Sequence, residues 1–386
     1  MVLIWPDQEL NRAKFTRVVD IDKILKADIR KVLVSGGIIE MDGVSVITEE
    51  HDILYAIERI ERVVRRVVGT TDILFSLDKK KLKSVAKERP AMVSTPVGRI
   101  VLVALKTDFD KMKEYFPFHA LNPYVDTFIR RVKKFKLEAA FRSTSFDAVE
   151  QSVKMLNYFV GSLRERVLSD RFKKKINSYN HTSNKNFKGV CEYISALFER
   201  YARLLVVRVD LGYENKYCNN YKSAQGITGE QVRAHREQLL YGLKNKMFPG
   251  SMVGYAWKLE YGLSKGYHYH LLVFFDGSRV REDETLALMI GQHWRDVVSD
   301  NKGIYYNCNA KKEGYRRFGF GVGIGMINHD DYILRKNLER VAAYLTKVDY
   351  YIRTVIPGNG RTFGKGGKPK PKNDQRGRPR KATAVK

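Results

Sequence analysis

The chain has 386 residues, of which 44% are hydrophobic, so it can bury a sizeable core and form two or three domains. Lys and Arg number 70 against 43 Asp and Glu, and the resulting net charge of +27 favours nucleic acid as the partner over an anionic membrane surface. No run of about 18 apolar residues and no signal peptide occur, so we expect no membrane partner. Cys191, Cys218 and Cys308 are odd in number and far apart, which indicates neither a disulfide framework nor a zinc ribbon and favours a reducing compartment.

The first two regions carry no motif that indicates a reaction. Residues 1–136 are a mixed, helix-rich N-terminal region with a helix predicted over 50–68. On that helix, arginines follow glutamates by four residues, a spacing typical of surface ion pairs rather than of a DNA-binding face. Residues 137–201 are a predicted helical connector of two long helices, which we expect to be broken near 177–186 by Asn-, Ser- and Thr-rich sequence.

Residues 202–356 predict an α+β domain. The residues from 202 to 211 are mostly apolar and β-branched, as in a buried central strand. The predicted elements that follow are a helix over 228–246, a hairpin over 255–275, a helix over 284–298, a glycine-spaced strand region over 314–326 and a helix over 331–353. This order predicts one antiparallel sheet with helices packed on it.

The hairpin carries the first candidate site. Two aromatic-rich runs flank a turn at 262–266, and because strand side chains alternate between faces, His268 and His270 point to the same side. A five-residue loop would place Glu260 opposite His268, on that same face. Two imidazoles and one carboxylate leave coordination positions open, as a catalytic metal site requires. The alternative is that both histidines are simply packed or hydrogen-bonded in an aromatic strand.

The last predicted helix carries the second candidate site. At 100° per residue, Arg340, Tyr344, Lys347 and Tyr351 lie along one edge of its apolar stripe. A tyrosine beside a lysine, on a helix packed against a metal-binding sheet, suits attack on a phosphodiester, because the lysine can offset phenolate charge or meet the leaving oxygen. The alternative is a boundary tyrosine and a solvated lysine.

The C-terminal region, 357–386, is rich in Gly, Pro, Lys and Arg, which predicts a disordered basic tail. Its Arg376, Arg378, Arg380 and Lys381 are similar to an AT-hook core, in which an extended Arg-Gly-Arg segment enters the narrow minor groove of A·T tracts. The alternative is a sequence-independent polyanion tether whose contribution weakens with salt.

Three ordered elements resemble the HUH nucleases, the single-strand endonucleases of the rolling-circle replication initiator superfamily. They are the hydrophobic strand 204–211, the pair His268-Tyr-His270 and the helical Tyr344-Leu-Thr-Lys347. The region from about 202 to 380 most resembles the replication initiators of filamentous phages (inoviruses), the gene-II-type or YagK/YfjJ C-terminal domain group that also occurs in prophages. Residues 202–356 would then be the HUH endonuclease domain.

The resemblance implies a chemistry and its residues. His268 and His270 would hold Mg²⁺ or Mn²⁺ with Glu260 as third ligand, while Tyr344 would attack single-stranded origin DNA and keep a 5′-phosphotyrosine link. The freed 3′-OH would prime synthesis. Lys347 would assist, and Tyr351 is a second nucleophile candidate because some members use two tyrosines.

The resemblance also implies partners and a cellular setting. Arg340 and the basic tail would contact DNA in the cytoplasm of a bacterial host cell. A host polymerase and a host helicase are expected, since the chain has no Gly-x-x-x-x-Gly-Lys-Ser/Thr loop of its own. Two other functions stay open: a DNA-binding regulator on a decayed nuclease fold, which intact His268, His270, Tyr344 and Lys347 argue against, and a transposase or relaxase with the same chemistry.

Overall fold

The structure is a computed structural model that describes residues 38–41, 44–47, 49–78, 92–116, 119–137, 146–218, 226–262, 266–317, 322–347, 352–354 and 360–370. The helices in these ranges are α1 (Glu49–Val68), α2 (Pro96–Leu105), α3 (Phe109–Tyr115), α4 (Pro123–Phe135), α5 (Phe146–Leu168), α6 (Asp170–Arg200), α7 (Asn215–Cys218), α8 (Gly229–Gly242), α9 (Asp283–His293), α10 (Lys312–Arg317) and α11 (Tyr332–Lys347). Short π-helical turns, Leu243–Met247 and Trp294–Val298, continue α8 and α9.

The strands in the same ranges pair antiparallel. They are β1 (Ile38–Met41), β2 (Val44–Ile47), β3 (Phe75–Leu77), β4 (Met92–Ser94), β5 (His119–Leu121), β6 (Arg203–Tyr213), β7 (Met252–Gly262), β8 (Gly266–Asp276), β9 (Gly303–Asn307), β10 (Gly325–Asn328), β11 (Ile352–Thr354) and β12 (Phe363–Lys365). The larger sheet lies in the C-terminal half and the N-terminal half is rich in helices, which confirms the α+β prediction.

The N-terminal half has its own core between α1, α2, α4 and α5. Its fully buried apolar side chains include Ile57, Val101, Phe128 and Phe159. On α1 the predicted ion pairs form: Arg62 to Glu58 at 2.7 Å and Arg65 to Glu61 at 2.8 Å. In each pair the arginine side chain is the more exposed partner and the glutamate is nearly buried, so the pairs lie at the edge of the N-terminal core rather than on a fully solvated face.

The two long connector helices form, but the break lies at Ser169 rather than at 177–186. Ser169 caps the start of α6 by accepting a hydrogen bond from the backbone N–H of Phe172. α6 then runs unbroken through the Asn-rich sequence, because Tyr179 and Ser183 are buried and the Ser183 hydroxyl donates to the carbonyl of Thr346 at 2.5 Å. Tertiary packing overrides weak local helix propensity here.

The central sheet has the order β10-β6-β8-β7-β12, with β9 beside β10 on the same edge of β6. β6 is the predicted buried strand, and its apolar side chains are fully buried on both faces. β7 and β8 form the predicted hairpin in the predicted register, with Tyr261 opposite Tyr267 and Glu260 opposite His268. Gly262 also pairs with Gly266, so the strands extend one residue further than the expected five-residue loop allows, and the register that decides which side chains share a face is unchanged.

Helices cover both faces of this sheet. One face packs Leu205, Val207, Leu271 and Val273 against α8 and α9. The first turn of α8 is closed by a capping box between Thr228 and Gln231. The other face packs its apolar half against α6 and α11, in a cluster that contains Leu204, Val206, Leu272, Phe274, Val190, Leu197, Leu338 and Leu345. α11 is thereby fixed across the sheet face that carries the histidines.

Two expectations about the C-terminal elements are wrong. Residues 312–317 are the helix α10, and the strand described in the region 314–326, β10, begins at Gly325. The last helix is described as far as Lys347 and does not reach Arg353, because residues 352–354 pair as β11 with β5 of the N-terminal half.

Within the predicted disordered tail, residues 363–365 form β12, which adds an edge strand to β7 through pairs such as Phe363 with Lys258. The sheet therefore continues into sequence whose composition indicates disorder. Among the described residues, no helix is both long and apolar enough to cross a membrane.

Candidate active site

One face of the central sheet changes from apolar to polar halfway along its strands. On β6 the series Leu204, Val206 continues as Arg208 and Asp210, because residues two apart share a face. The neighbouring strands change at the same level, and this polar half consists of Arg208 and Asp210 on β6, His268 and His270 on β8, and Lys258 and Glu260 on β7. The helix α11 lies against the apolar half and reaches this boundary.

Three of these side chains converge on one point. The Nε2 atom of His270 lies 3.3 Å from Oε2 of Glu260, and Nε2 of His268 lies 3.5 Å from the same oxygen. Ligand atoms bound about 2.1 Å from one ion stand roughly 3.0 Å apart at right angles and roughly 3.4 Å apart at the tetrahedral angle. Both nitrogens therefore stand at metal-ligand separations from the Glu260 oxygen, and the ligand atoms of the three residues all lie within 4.8 Å of one another.

The outer nitrogen of each histidine is held by a hydrogen-bond partner. Nδ1 of His270 lies 2.8 Å from Oδ1 of Asp210, and Nδ1 of His268 lies 3.2 Å from the backbone carbonyl of Gly266. The carboxylate and the carbonyl both accept, so with the hydrogen on Nδ1 each neutral ring turns the lone pair of Nε2 towards Glu260. A guanidinium nitrogen of Arg208 lies 3.4 Å from the same Nδ1 of His270. A carboxylate or carbonyl behind a ligating histidine fixes the ring orientation and raises its basicity.

The electrostatics match the ligand role. Burial alone would lower the pKa of His270, but the carboxylates of Asp210 and Glu260 raise it to about 9. Burial alone would raise the pKa of Glu260, but the charged His270 and hydrogen bonds from both histidines hold it well below its usual value. The cluster thus attracts positive charge, which a divalent cation would supply in place of the proton.

The residues fit a divalent metal ion. Their three donor atoms leave coordination positions for substrate and water, and the side chains keep 13–21% of their surface exposed, so the site is reachable from solvent. Imidazole nitrogen with a carboxylate suits a first-row ion such as Mn²⁺ more than Mg²⁺, which prefers oxygen ligands. Either ion would be held by Glu260, His268 and His270.

Tyr344 on α11 stands beside this cluster. The centres of its ring and the His270 ring are 6.5 Å apart, and the guanidinium carbon of Arg208 lies 5.2 Å from the centre of the tyrosine ring. Burial raises the pKa of Tyr344, and Arg208 opposes this rise. The phenol of Tyr344 on the helix therefore lies beside the candidate metal ligands on the sheet, and the guanidinium of Arg208 is the positive charge next to its ring.

The other predicted site residues are placed only in part. Lys347 is the last residue of α11, three positions after Tyr344. Arg340 lies one turn before Tyr344, is exposed, and donates a hydrogen bond to Asn337 at 3.3 Å. Tyr351 and the tail residues Arg376, Arg378, Arg380 and Lys381 lie outside the described residues.

Four site residues were missed by the sequence interpretation. Arg208 and Asp210 interrupt the alternation of β6 at two consecutive positions of one face, a signal that its apolar composition concealed. Lys258 is buried directly opposite His270.

His119 on β5 packs against Tyr261 with ring centres 6.3 Å apart, and burial lowers its pKa to about 4 despite the nearby Glu260. No local signal in the sequence marks His119, because β5 reaches the sheet from the N-terminal half.

Asp210 offers a test of the metal site. We expect Asp210→Asn to weaken Mn²⁺ binding by about 10- to 100-fold, because it removes the charge behind His270 while keeping the side-chain volume. Isothermal titration calorimetry measures the affinity. The matched control is Asp296→Asn, which neutralises an exposed aspartate paired with Arg295 and should leave the affinity unchanged. Equal affinities in the two variants would contradict the assignment of His270 as a ligand.

The chain is an α+β protein with a candidate metal site: its antiparallel sheet carries a His-His-carboxylate cluster, and a tyrosine lies beside this cluster on a packed helix. The profile of the YagK/YfjJ C-terminal domain family matches residues 168–366, just over half of the chain. The chain belongs to this family, and the matched region contains α6, the central sheet and α11. No curated protein and no solved structure matches the chain.

Proposed function

We propose that this protein is a metal-dependent, site-specific endonuclease and strand transferase of the HUH type, which starts rolling-circle replication of a phage, prophage or plasmid. The observation that carries the proposal is the position of Tyr344 beside a three-ligand cluster whose histidines are both oriented from behind. A packed or hydrogen-bonded role for the histidines would not require their two Nε2 atoms to share one carboxylate oxygen.

In this reaction the Tyr344 oxygen forms a bond to phosphorus and the bond from phosphorus to the 3′ oxygen breaks. The phenol loses its proton to solvent, and the released 3′ oxygen gains one, so the products are a 5′-phosphotyrosine and a free 3′-OH. The reverse attack by a 3′-OH rejoins the strand and returns the phenol. No nucleotide hydrolysis is needed, because the phosphotyrosine conserves the bond energy.

The chain's own residues hold the nucleophile in place. Arg208 donates to both carboxylate oxygens of Asp210, at 3.2 and 3.3 Å, while its guanidinium faces the Tyr344 ring. It is therefore a fixed positive charge that stabilises the phenolate as it forms. Lys347, one turn along α11, is assigned by resemblance to the phenolate or the leaving oxygen. A bound Mg²⁺ or Mn²⁺ would draw electron density from the scissile phosphate and orient it.

The proposal is tested by incubating the purified chain with single-stranded origin DNA labelled at the 5′ or the 3′ end, with Mn²⁺ or with EDTA. We expect an adduct that survives a denaturing gel, appears only with the metal, and contains the DNA 3′ of the nick. Peptide mapping should place the DNA on the peptide that contains Tyr344. The assay is repeated over a panel of candidate origin sequences.

The alternatives give different results. A DNA-binding regulator on a decayed nuclease fold would bind these DNAs and form no adduct, with Mn²⁺ or without it. A transposase or relaxase would form the same adduct, and would be distinguished by cleavage of a transposon end or a plasmid transfer origin instead of a replication origin. An adduct on the fragment 5′ of the nick would contradict the chemistry itself.

A further inference from the structure

A strongly basic cavity lies in the N-terminal half, on residues separate from the metal cluster. It has a volume of about 450 Å³ and lies between α4, the end of α5 and the start of α6. Six cationic side chains and one carboxylate line it together with Thr127 and Phe172, and they are Arg130, Arg131, Lys134, Arg166, Arg171, Lys175 and Asp126. The charged lining therefore carries a net charge of +5.

Asp126 compensates only part of this charge. Its two carboxylate oxygens pair with Arg130 and Lys175, each at 2.8 Å. Arg131, Arg166 and Arg171 have no acidic partner in the part of the chain that the structure describes. Like charges held together in one cavity repel each other and disfavour the folded state, unless an anionic ligand neutralises them.

The lining indicates which kind of anion fits. Arg130, Lys134, Arg171 and Lys175 remain exposed, so an anion would be contacted at the surface and kept partly hydrated. Phe172 is only 2% exposed and offers no face on which a base could stack. Cations without a stacking surface suit the phosphates of a nucleic-acid backbone more than a nucleotide, whose base would lack a contact.

We propose that the cavity between α4, α5 and α6 is a DNA-backbone binding site that holds phosphates without reading sequence. The choice of DNA as the polyanion rests on the proposed function. The site gives the N-terminal half a role: it adds affinity for DNA flanking the cleaved position, while the sheet and α11 carry the chemistry. Because α6 belongs both to this cavity and to the core under the sheet, the two sites are joined by one continuous helix.

The test compares two triple variants with equal loss of charge. The first, Arg131→Gln with Arg166→Gln and Arg171→Gln, removes the three arginines that lack acidic partners. The matched control, Arg99→Gln with Lys106→Gln and Lys113→Gln, removes three exposed cations of the same N-terminal half that do not line the cavity. DNA affinity is measured by fluorescence anisotropy in EDTA, so that no cleavage is involved, with unrelated single-stranded and duplex sequences over a series of salt concentrations.

We expect the cavity variant to bind all these DNAs about tenfold or more weakly at physiological salt, with a salt dependence shallower by roughly two to three units, the value for three lost phosphate contacts. The control should change much less, and the thermal midpoint of the cavity variant should stay the same or rise because repulsion is relieved. Equal losses in both variants would overturn the proposal, as would a loss confined to one DNA sequence. A selective loss of binding to phosphatidylglycerol vesicles with DNA binding unchanged would overturn it in favour of a membrane.

A second measurement uses the unmodified chain and so does not depend on the variants folding. Lysines are acetylated with a soluble reagent, with and without duplex DNA, and the extent at each position is read by mass spectrometry. DNA should protect Lys134 and Lys175 but leave Lys106 and Lys113 reactive. Equal protection at all four positions would overturn the proposal. If DNA protects Lys134 and Lys175 but no Tyr344 adduct forms in the cleavage assay, the result counts against the proposed nuclease activity and leaves the DNA-backbone site in place.

Discussion

Replacing Tyr344 with phenylalanine should lower the yield of covalent protein–DNA adduct by more than about 10³-fold, because phenylalanine has no oxygen to attack phosphorus and the rest of the site cannot supply one. DNA binding and Mn²⁺ binding should be unchanged. The substitution keeps the ring, and with it the contacts to Arg208 and His270, so the helix should remain packed on the sheet. Adduct is measured on denaturing gels with end-labelled single-stranded DNA.

The matched control is Tyr332→Phe, which makes the same change at an exposed position in the first turn of the same helix. It should form adduct at the rate of the unmodified chain. Tyr351→Phe tests the other tyrosine of the sequence prediction. If Tyr344→Phe still forms adduct and Tyr351→Phe does not, the nucleophile has been assigned to the wrong residue. If both single variants form adduct and only the double variant fails, two tyrosines can serve.

Much of the metal cluster could be predicted because it is local in sequence. His268, His270 and Glu260 lie within one hairpin, and a short turn fixes the register of its two strands. The alternation of side chains then fixes the shared face. The same local rules gave the hydrophobic stripe of α11, whose Leu338 and Leu345 are buried under the sheet.

The residues that complete the site depend on pairings between distant segments. Asp210 reaches His270 only because β6 pairs with β8 in one particular register, and a shift of one residue would turn its carboxylate to the opposite face. His119 reaches the site through β5, which is more than 130 residues away from β7 along the chain. Composition and periodicity describe single segments, so neither contact could be inferred.

The misplaced boundaries have the same origin. Asn and Ser favour a break near 177–186, but Tyr179 and Ser183 are buried there and the helix continues. Gly, Lys and Pro around residue 365 indicate disorder, but the edge of β7 offers unpaired backbone groups that β12 satisfies. In both places a tertiary contact outweighs a local preference.

Replacing His268 with alanine should weaken Mn²⁺ binding by at least about 100-fold and remove metal-dependent adduct formation, because it deletes one of three protein ligands. Glu260 and His270 would remain, but two donor atoms hold a divalent ion poorly against water. The fold should persist, since His268 lies at the solvent-reachable end of β8 and its backbone pairing with Glu260 does not need the side chain. Calorimetry with Mn²⁺ and the adduct assay measure the two effects.

The control His181→Ala removes an exposed histidine on α6 and should change neither quantity. Added imidazole should restore part of the adduct formation in His268→Ala, because the deleted ring leaves a space beside Glu260 that a free imidazole can fill with its nitrogen facing the same oxygen. Rescue by imidazole would separate a lost ligand from a damaged fold, which a small molecule cannot repair. If His268→Ala forms adduct at the original rate and still requires Mn²⁺, the ion is held elsewhere. Tyr344 would then have to act beside a histidine cluster whose role is electrostatic.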